Sequence, residues 1–183
     1  MTELPAVLTE LGDGPFDGAV VASGETARGE VVLLRRFREG EPIVDSDTEY
    51  DRWGEDMLAL EHTDGVVHRL AVEASGEVVG VVSWHSAHYG PNAGSLAWNM
   101  GAGLAQDAVV RGIGTVAQRL LAQHLFATTP RSRVEASTDV DNLAEQRALE
   151  RAGFTREGVL RGAQTRADGP HDLVVYSVLR GEV

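Results

Sequence analysis

The sequence predicts one domain of the α/β (α+β) class, with helices covering a mixed sheet. Three observations carry that expectation. At 183 residues the chain fits a single domain and is long enough to bury a core. Its apolar runs follow the order three or more strands, helix, strand, helix, strand, strand, with no internal repeat. The two helical segments are well marked, one by an apolar stripe and the other by caps at both ends.

In chain order, residues 1–28 are rich in Gly, Asp and Ala without sustained periodicity and read as a partly ordered N-terminal arm, with one short strand near 19–22. The domain itself is expected over 29–183. Residues 29–37 (GEVVLLRRF) carry the β-branched and leucine run of a strand, and the acidic stretch 38–56, broken by Pro42, reads as short helical turns. Strand-like runs at 66–73 and 77–86 are joined by Ala74, Ser75 and Gly76, a link of hairpin length, so they should pair antiparallel. Trp84 and Trp98 fall in strand runs and read as core. A loop at 87–94 leads to a strand at 95–104, where Gly101 and Gly103 indicate a bulge or a close backbone approach.

Ile113, Val116, Ala117, Leu120, Leu121 and Leu125 form one stripe of a helix over 115–126, with Gln118, Arg119 and Gln123 on the other side. Residues 133–138 alternate as a strand. A second helix over 142–152 has Asn142 as its N-cap, Glu145 placed to close a capping box, and Gly153 with Phe154 as a left-handed stop. Strands at 154–161 and 172–179 follow, separated by a loop at 162–170.

Composition narrows the function. The formal net charge of -12 repels nucleic acid and anionic membranes and favours cationic partners such as amines. There is no cysteine, so disulfides and thiolate metal sites are excluded. Neither a basic segment followed by an apolar stretch nor a membrane-length apolar run is visible, which leads to the expectation of a cytoplasmic protein. No metal is expected either, since no carboxylate has ligand spacing around His85 and His88.

The segment V-V-R-G-I-G at 109–114 opens directly into the first helix. Gly112 and Gly114 let a backbone approach an anion without a Cβ in the way, and the first N–H groups of a helix lack intrahelical partners. The same turn also serves as a tight strand-to-helix connection with no ligand.

Three blocks in order then resemble the GNAT superfamily of N-acetyltransferases, in its branch of ribosomal-protein serine/alanine N-terminal acetyltransferases. They are R-G-I-G-T at 111–115, D-V-D-N-L-A-E-Q-R-A-L-E-R-A-G-F at 139–154, and E-G-V-L-R-G-A at 157–163 with D-L-V-V-Y-S-V-L-R at 172–180. The resemblance implies a GNAT-like domain whose mostly antiparallel sheet splays between its fourth and fifth strands, here 95–104 and 133–138. It implies acetyl-coenzyme A as co-substrate. The pyrophosphate would lie on Arg111, Gly112, Ile113, Gly114 and Thr115, the pantetheine arm along Met100 to Leu104, with Asn142 near the cofactor. A backbone N–H of that strand would meet the thioester carbonyl. The acceptor it implies is a primary amine, on a small compound or a peptide N-terminus, attacking directly; a homodimer is compatible with it.

This chain departs from the family pattern in four places. Val109 stands where relatives carry Arg or Gln, and Val110 also replaces a usual residue of the turn, leaving Arg111 as the one cation there. Glu145 stands in place of a serine proposed as general acid, so it is a candidate acid as well as a cap. The acidic residue expected on the fourth strand falls near Leu96, which leaves His85, at the end of the third strand, as the candidate base or as a packing histidine. Tyr50 and Trp53 are candidates to line an amine pocket. Two other functions remain open: a degenerate domain serving as a binding or regulatory module, and transfer from another acyl-coenzyme A.

Overall fold

A computed structural model of the chain describes residues 16–44, 50 and 67–183. Eight strands form one sheet in the spatial order β1-β2-β3-β4-β5-β6-β8-β7. They are β1 (Val20–Glu25), β2 (Val31–Arg35), β3 (His68–Ala74), β4 (Glu77–His88), β5 (Leu96–Leu104), β6 (Arg133–Asp139), β7 (Thr155–Arg166) and β8 (Gly169–Leu179). Every neighbouring pair is antiparallel except β5 and β6, which run parallel. Two α-helices are found among the described residues, α1 (Ile113–Thr128) and α2 (Leu143–Ala152), and neither is long and apolar enough to cross a membrane.

The core lies between α1, α2 and one face of the sheet. Alternation puts Val32 and Leu34, Leu70 and Val72, Val82 and Trp84, Met100, Val134 and Ala136 on that face, buried against Ile113, Ala117, Leu121 and Leu125 of α1 and Leu149 of α2. Trp98 packs on the same cluster and donates its indole N–H to Thr129 Oγ1 (3.1 Å). Each fully buried aliphatic side chain contributes about 1.5–3 kcal/mol, so this cluster is the main favourable contribution to stability.

Several expectations change. β1, where a short strand is expected near 19–22, pairs with β2 along its length, so residues 20–25 of the span read as an arm are part of the sheet. Counting β1, the strands expected to splay are the fifth and sixth. Residues 38–44 form a bridge to Asp17 and a turn; the remainder of the 38–56 segment, apart from Tyr50, lies outside the described residues, as do Trp53 and Val66. The glycines of β5 make no bulge, because its pairing with β4 runs unbroken from Leu96 to Leu104; the close-approach alternative holds instead. The β3–β4 link is a two-residue turn in which Ser75 and Gly76 both have positive φ, the geometry that matches the strand twist.

Two further corrections bear on the site. The loop expected at 162–170 is strand: β7 and β8 continue to a tight turn at Ala167 and Asp168, and Gly162 marks an irregularity where three residues of β7 (161–163) pass one of β8 (Asp172). Gly162 takes up a positive φ there and its N–H donates to Asp172 Oδ1 (2.7 Å). Gln118, placed on the polar side of α1, is fully buried. An amide at the contact of two helices satisfies the pattern of neither, and Gln118 is held there by Glu145, as described below.

The outer face of β2 carries a buried guanidinium. Arg35 bonds Glu41 through both terminal nitrogens (2.7 and 2.6 Å) and Glu73 through Nε (2.6 Å). The Arg35 hydrogen bonds hold the Glu41 carboxyl down to about 2, from an ordinary value of 4.5. A carboxyl depressed on folding adds stability that is complete above its unfolded value and lost as pH falls through its folded one. Unfolding in urea should therefore become easier between about pH 4.5 and 2, and Glu41→Gln should remove about 1–3 kcal/mol at pH 7 and flatten that acid slope. An unchanged slope in the variant would contradict the assignment.

Candidate functional site

The β5–β6 ladder is short. It joins Trp98 to Val134, Asn99 to Glu135 and Met100 to Ala136, and then the strands part. Beyond that point residues 101–104 pair only with β4 and residues 137–139 only with β8. The result is a V-shaped gap that opens into a cleft of about 670 Å³, lined by Met100 to Leu104 on one side, Ala136 to Asp139 on the other, and the start of α1 at its mouth.

The start of α1 owes its shape to glycine. A 3-10 turn over Val109–Arg111 ends on Gly112, which is left-handed (φ 83°) and is also the N-cap of α1. A side chain at that φ is strained. The first helical bond runs from Val116 N–H to Gly112 O (3.3 Å), so the N–H groups of Ile113, Gly114 and Thr115 precede it at the positive end of the helix dipole; Gly112, Gly114 and Thr115 line the cleft mouth, while Ile113 is fully buried in the core. A Cβ on Gly114 would lie 3.3 Å from Leu104 Cδ1, so glycine there keeps the helix close to the strand.

Arg111 is not a free cation. Its guanidinium binds the Glu30 carboxylate through two nitrogens, Nε at 3.1 Å and Nη2 closer, and Ser75 donates to the same carboxylate (2.9 Å). The Arg111 bond, then that of Ser75, keeps the Glu30 carboxyl below its usual range. Arg28, Arg147 and Arg151 also line the cleft, and these exposed side chains make no ion pair among the described residues. Arg147 and Arg151 sit one turn apart on α2. Val109 and Val110 stand on the rim, 42% and 79% exposed.

Asn142 and Glu145 meet at the start of α2. Asn142 Oδ1 accepts the Glu145 N–H (3.1 Å), which is the expected cap. The other half of the capping box is not taken up: Asn142 N–H donates to Asp139 O (3.1 Å), while the Glu145 carboxylate accepts from Gln118 Nε2 (2.6 Å). Both residues line the cleft. His85 stands apart on β4, exposed, at the register position of Asn99, and is not among the cleft residues.

Sequence reasoning passed over two groups. The first is Glu135, almost fully buried on the sheet face opposite α1, one step before the strands part. It accepts from Tyr89 Oη (2.5 Å), Asn99 Nδ2 (3.3 Å) and Arg133 Nε (3.1 Å). A carboxylate on the strand before the asparagine block was visible in the sequence, but Tyr89 and Asn99 reach it from two other segments.

The second gathers at the far end of the cleft. Arg166, buried, donates to Gln164 Oε1 (2.9 and 2.6 Å) and lies 2.7 Å from Asp139 Oδ2, with Tyr50 beside it and donating to Asp141 O (3.3 Å). Asp139 Oδ1 takes the Asp141 N–H (2.8 Å). Burial pushes the Asp139 carboxyl up, but that bond together with Arg166 and His171 outweighs it and holds the group below its usual range. The long β7–β8 hairpin brings these residues here, and its extension was the part of the fold that the sequence hid.

The chain matches a family model described as an acetyltransferase (GNAT) domain over residues 27–155. Among solved structures it is similar to one from T. thermophilus described as that of an acetyltransferase, with 32% identity, a TM-score of 0.55, and coverage of 63% of this chain and 60% of the other. It is also similar to Mycobacterium smegmatis RimJ in complex with CoA-disulfide (22% identity, TM-score 0.57, 64% and 55%). A third is the ribosomal-protein-S5-alanine acetyltransferase from Vibrio fischeri (18% identity, TM-score 0.55, 63% and 63%). At the identities of the last two the likeness is one of fold. The chain thus spans less than two thirds of the length of each of these structures. No curated protein matches the chain.

Proposed function

The chain belongs to the GNAT acetyltransferase family, and on that premise we propose that it is an N-acetyltransferase carrying an acetyl group from acetyl-coenzyme A to a primary amine, on a small compound or a peptide N-terminus. The observation that carries this is the parting of β5 and β6 directly beside a glycine-opened helix N-terminus. A gap in a sheet exposes backbone donors and acceptors that an extended amide-bearing arm satisfies, and the helix start next to it suits a pyrophosphate.

Acetyl-coenzyme A supplies an activated thioester carbonyl. The chain's own residues bind and orient it: the N–H groups of 113–115 take the phosphates, the backbone of 100–104 takes the arm, and Arg28, Arg147 and Arg151 supply the positive charge that Arg111, neutralised by Glu30, does not. A backbone N–H of β5 aimed at the thioester oxygen stabilises the charge that develops there. Glu135, on the opposite sheet face and outside the cleft lining, is held by three donors, Arg133 among them, and takes no proton from the acceptor. Free α-amino groups have a pKa of about 7.7–8.0, so positioning contributes much of the rate at neutral pH.

The same loop also favours a second reading. Val109, Val110 and the tethered Arg111 leave the turn without its usual side-chain cations, as a binding module that no longer transfers acetyl groups would have it. Thiol release from acetyl-coenzyme A with a panel of amines separates the two. Turnover with any amine is the expected result, while coenzyme A binding without turnover on the whole panel would favour the module.

A further inference from the structure

At the tip of the β7–β8 hairpin three side chains form a line from water to the cleft. Asp168, in the turn, is exposed (74%) and its Oδ1 lies 2.7 Å from His171 Nε2. His171, on β8, is partly buried, and its Nδ1 lies 3.2 Å from Asp139 Oδ2. Asp139, at the end of β6, is 4% exposed and forms part of the cleft wall three residues beyond the last β5–β6 pair. The irregularity around Gly162 and the bond from its N–H to Asp172 let the hairpin tip bring His171 there. The charged groups facing the imidazole are Asp139 from β6, Arg166 from β7 (Nη1 at 3.4 Å) and Asp168 from the turn.

We propose that His171 is a positioning residue that relays the acceptor's proton out of the cleft, between Asp139 and Asp168. This rests on the acetyltransferase reading. An ammonium acceptor has three protons to account for: the amide keeps one, the departing thiol gains one, and the third must leave. That proton passes first to the Asp139 carboxylate, which frees the nitrogen lone pair; the amine then forms the nitrogen–carbon bond, the carbon–sulfur bond breaks with its electron pair going to sulfur, and a second nitrogen proton goes to the departing sulfur. Asp139, held by Arg166 and the Asp141 N–H, does not retain it and hands it to His171 Nδ1. The imidazole gives up its Nε2 proton to Asp168, which releases it to water. This needs neutral His171 with its hydrogen on Nε2, the tautomer that an acceptor at Asp168 selects.

The test uses the full chain with an amine that the wild type acetylates. His171→Ala and Asp168→Asn are compared with wild type in kcat, in KM for acetyl-coenzyme A, and in the pH profile of kcat, with folding checked by thermal melting. The relay predicts kcat down about 10- to 100-fold in His171→Ala with KM unchanged, an altered pH profile, partial recovery on adding imidazole, and a smaller fall in Asp168→Asn. Asp168 is exposed, so that variant reports even if His171→Ala folds poorly. Unchanged kcat in both, or a loss with the same pH profile and no recovery by imidazole, would overturn the relay. Absence of wild-type turnover would overturn the acetyltransferase reading and the relay with it.

Discussion

Replacing Arg147 and Arg151 together by alanine is expected to weaken coenzyme A binding about 100-fold, measured by calorimetric titration. A charge-assisted hydrogen bond contributes about 1.5–3 kcal/mol, and tenfold in affinity corresponds to about 1.4 kcal/mol. Both side chains line the cleft one turn apart on α2, and neither is committed to a carboxylate among the described residues. Arg111, by contrast, is bound to Glu30, so Arg111→Ala should weaken binding less than the double variant does. The arginines of α2 are exposed, and their removal should leave stability within about 0.5 kcal/mol. A change in affinity of less than threefold would mean that the helix start alone holds the phosphates.

Gly80→Val is expected to destabilise the protein by about 3 kcal/mol or more. A Cβ at Gly80 would lie 2.3 Å from Gly103 O and 3.1 Å from Leu104 Cα, both backbone atoms of the neighbouring strand. Backbone in a paired strand cannot swing aside as a flexible side chain does, so β5 must shift, and overpacking of this kind commonly costs about 1–3 kcal/mol even where side chains can move. The displaced residues form one wall of the cleft, so coenzyme A affinity should fall as well. Urea unfolding checks the first effect; a loss below about 0.5 kcal/mol would show that the strands have room to spare.

The parts of the fold legible in the sequence were those specified locally. The stripe of α1, the cap and stop of α2, and the Ser75 and Gly76 turn each depend on residues within a few positions of one another, and the structure has them where they were expected. The parts that were missed depend on distant partners. β1 reads as a weak run because at a sheet edge it packs only one face, on α1, and gains its order from β2. The β7–β8 extension was hidden by Gly162 and Pro170, which announce a loop to any local rule; Gly162 instead sits at a sheet irregularity and Pro170 pairs with Thr165 beside the turn.

The site divides in the same way. Gly112 and Gly114 stand out in the sequence as glycines that leave room for an anion, and the structure adds a left-handed φ at the first and a close helix–strand contact at the second. Arg111 reads as the cation of the turn, and its pairing with Glu30 is not legible there because that partner is 81 positions away. Gln118 reads locally as facing away from the core and Glu145 as a cap and candidate acid; their contact with each other spans 27 positions and is not legible from neighbours in the chain. His171 carries no motif, and only the hairpin's path places it between two aspartates.

The central claim is that the gap between β5 and β6, together with the start of α1, is a coenzyme A site. Titrating the 15N-labelled protein with coenzyme A and following its backbone amides tests this residue by residue. Saturable shifts concentrated at residues 101–104, 112–115 and 137–142 are predicted. Saturable shifts centred elsewhere, or none at millimolar coenzyme A, would contradict it.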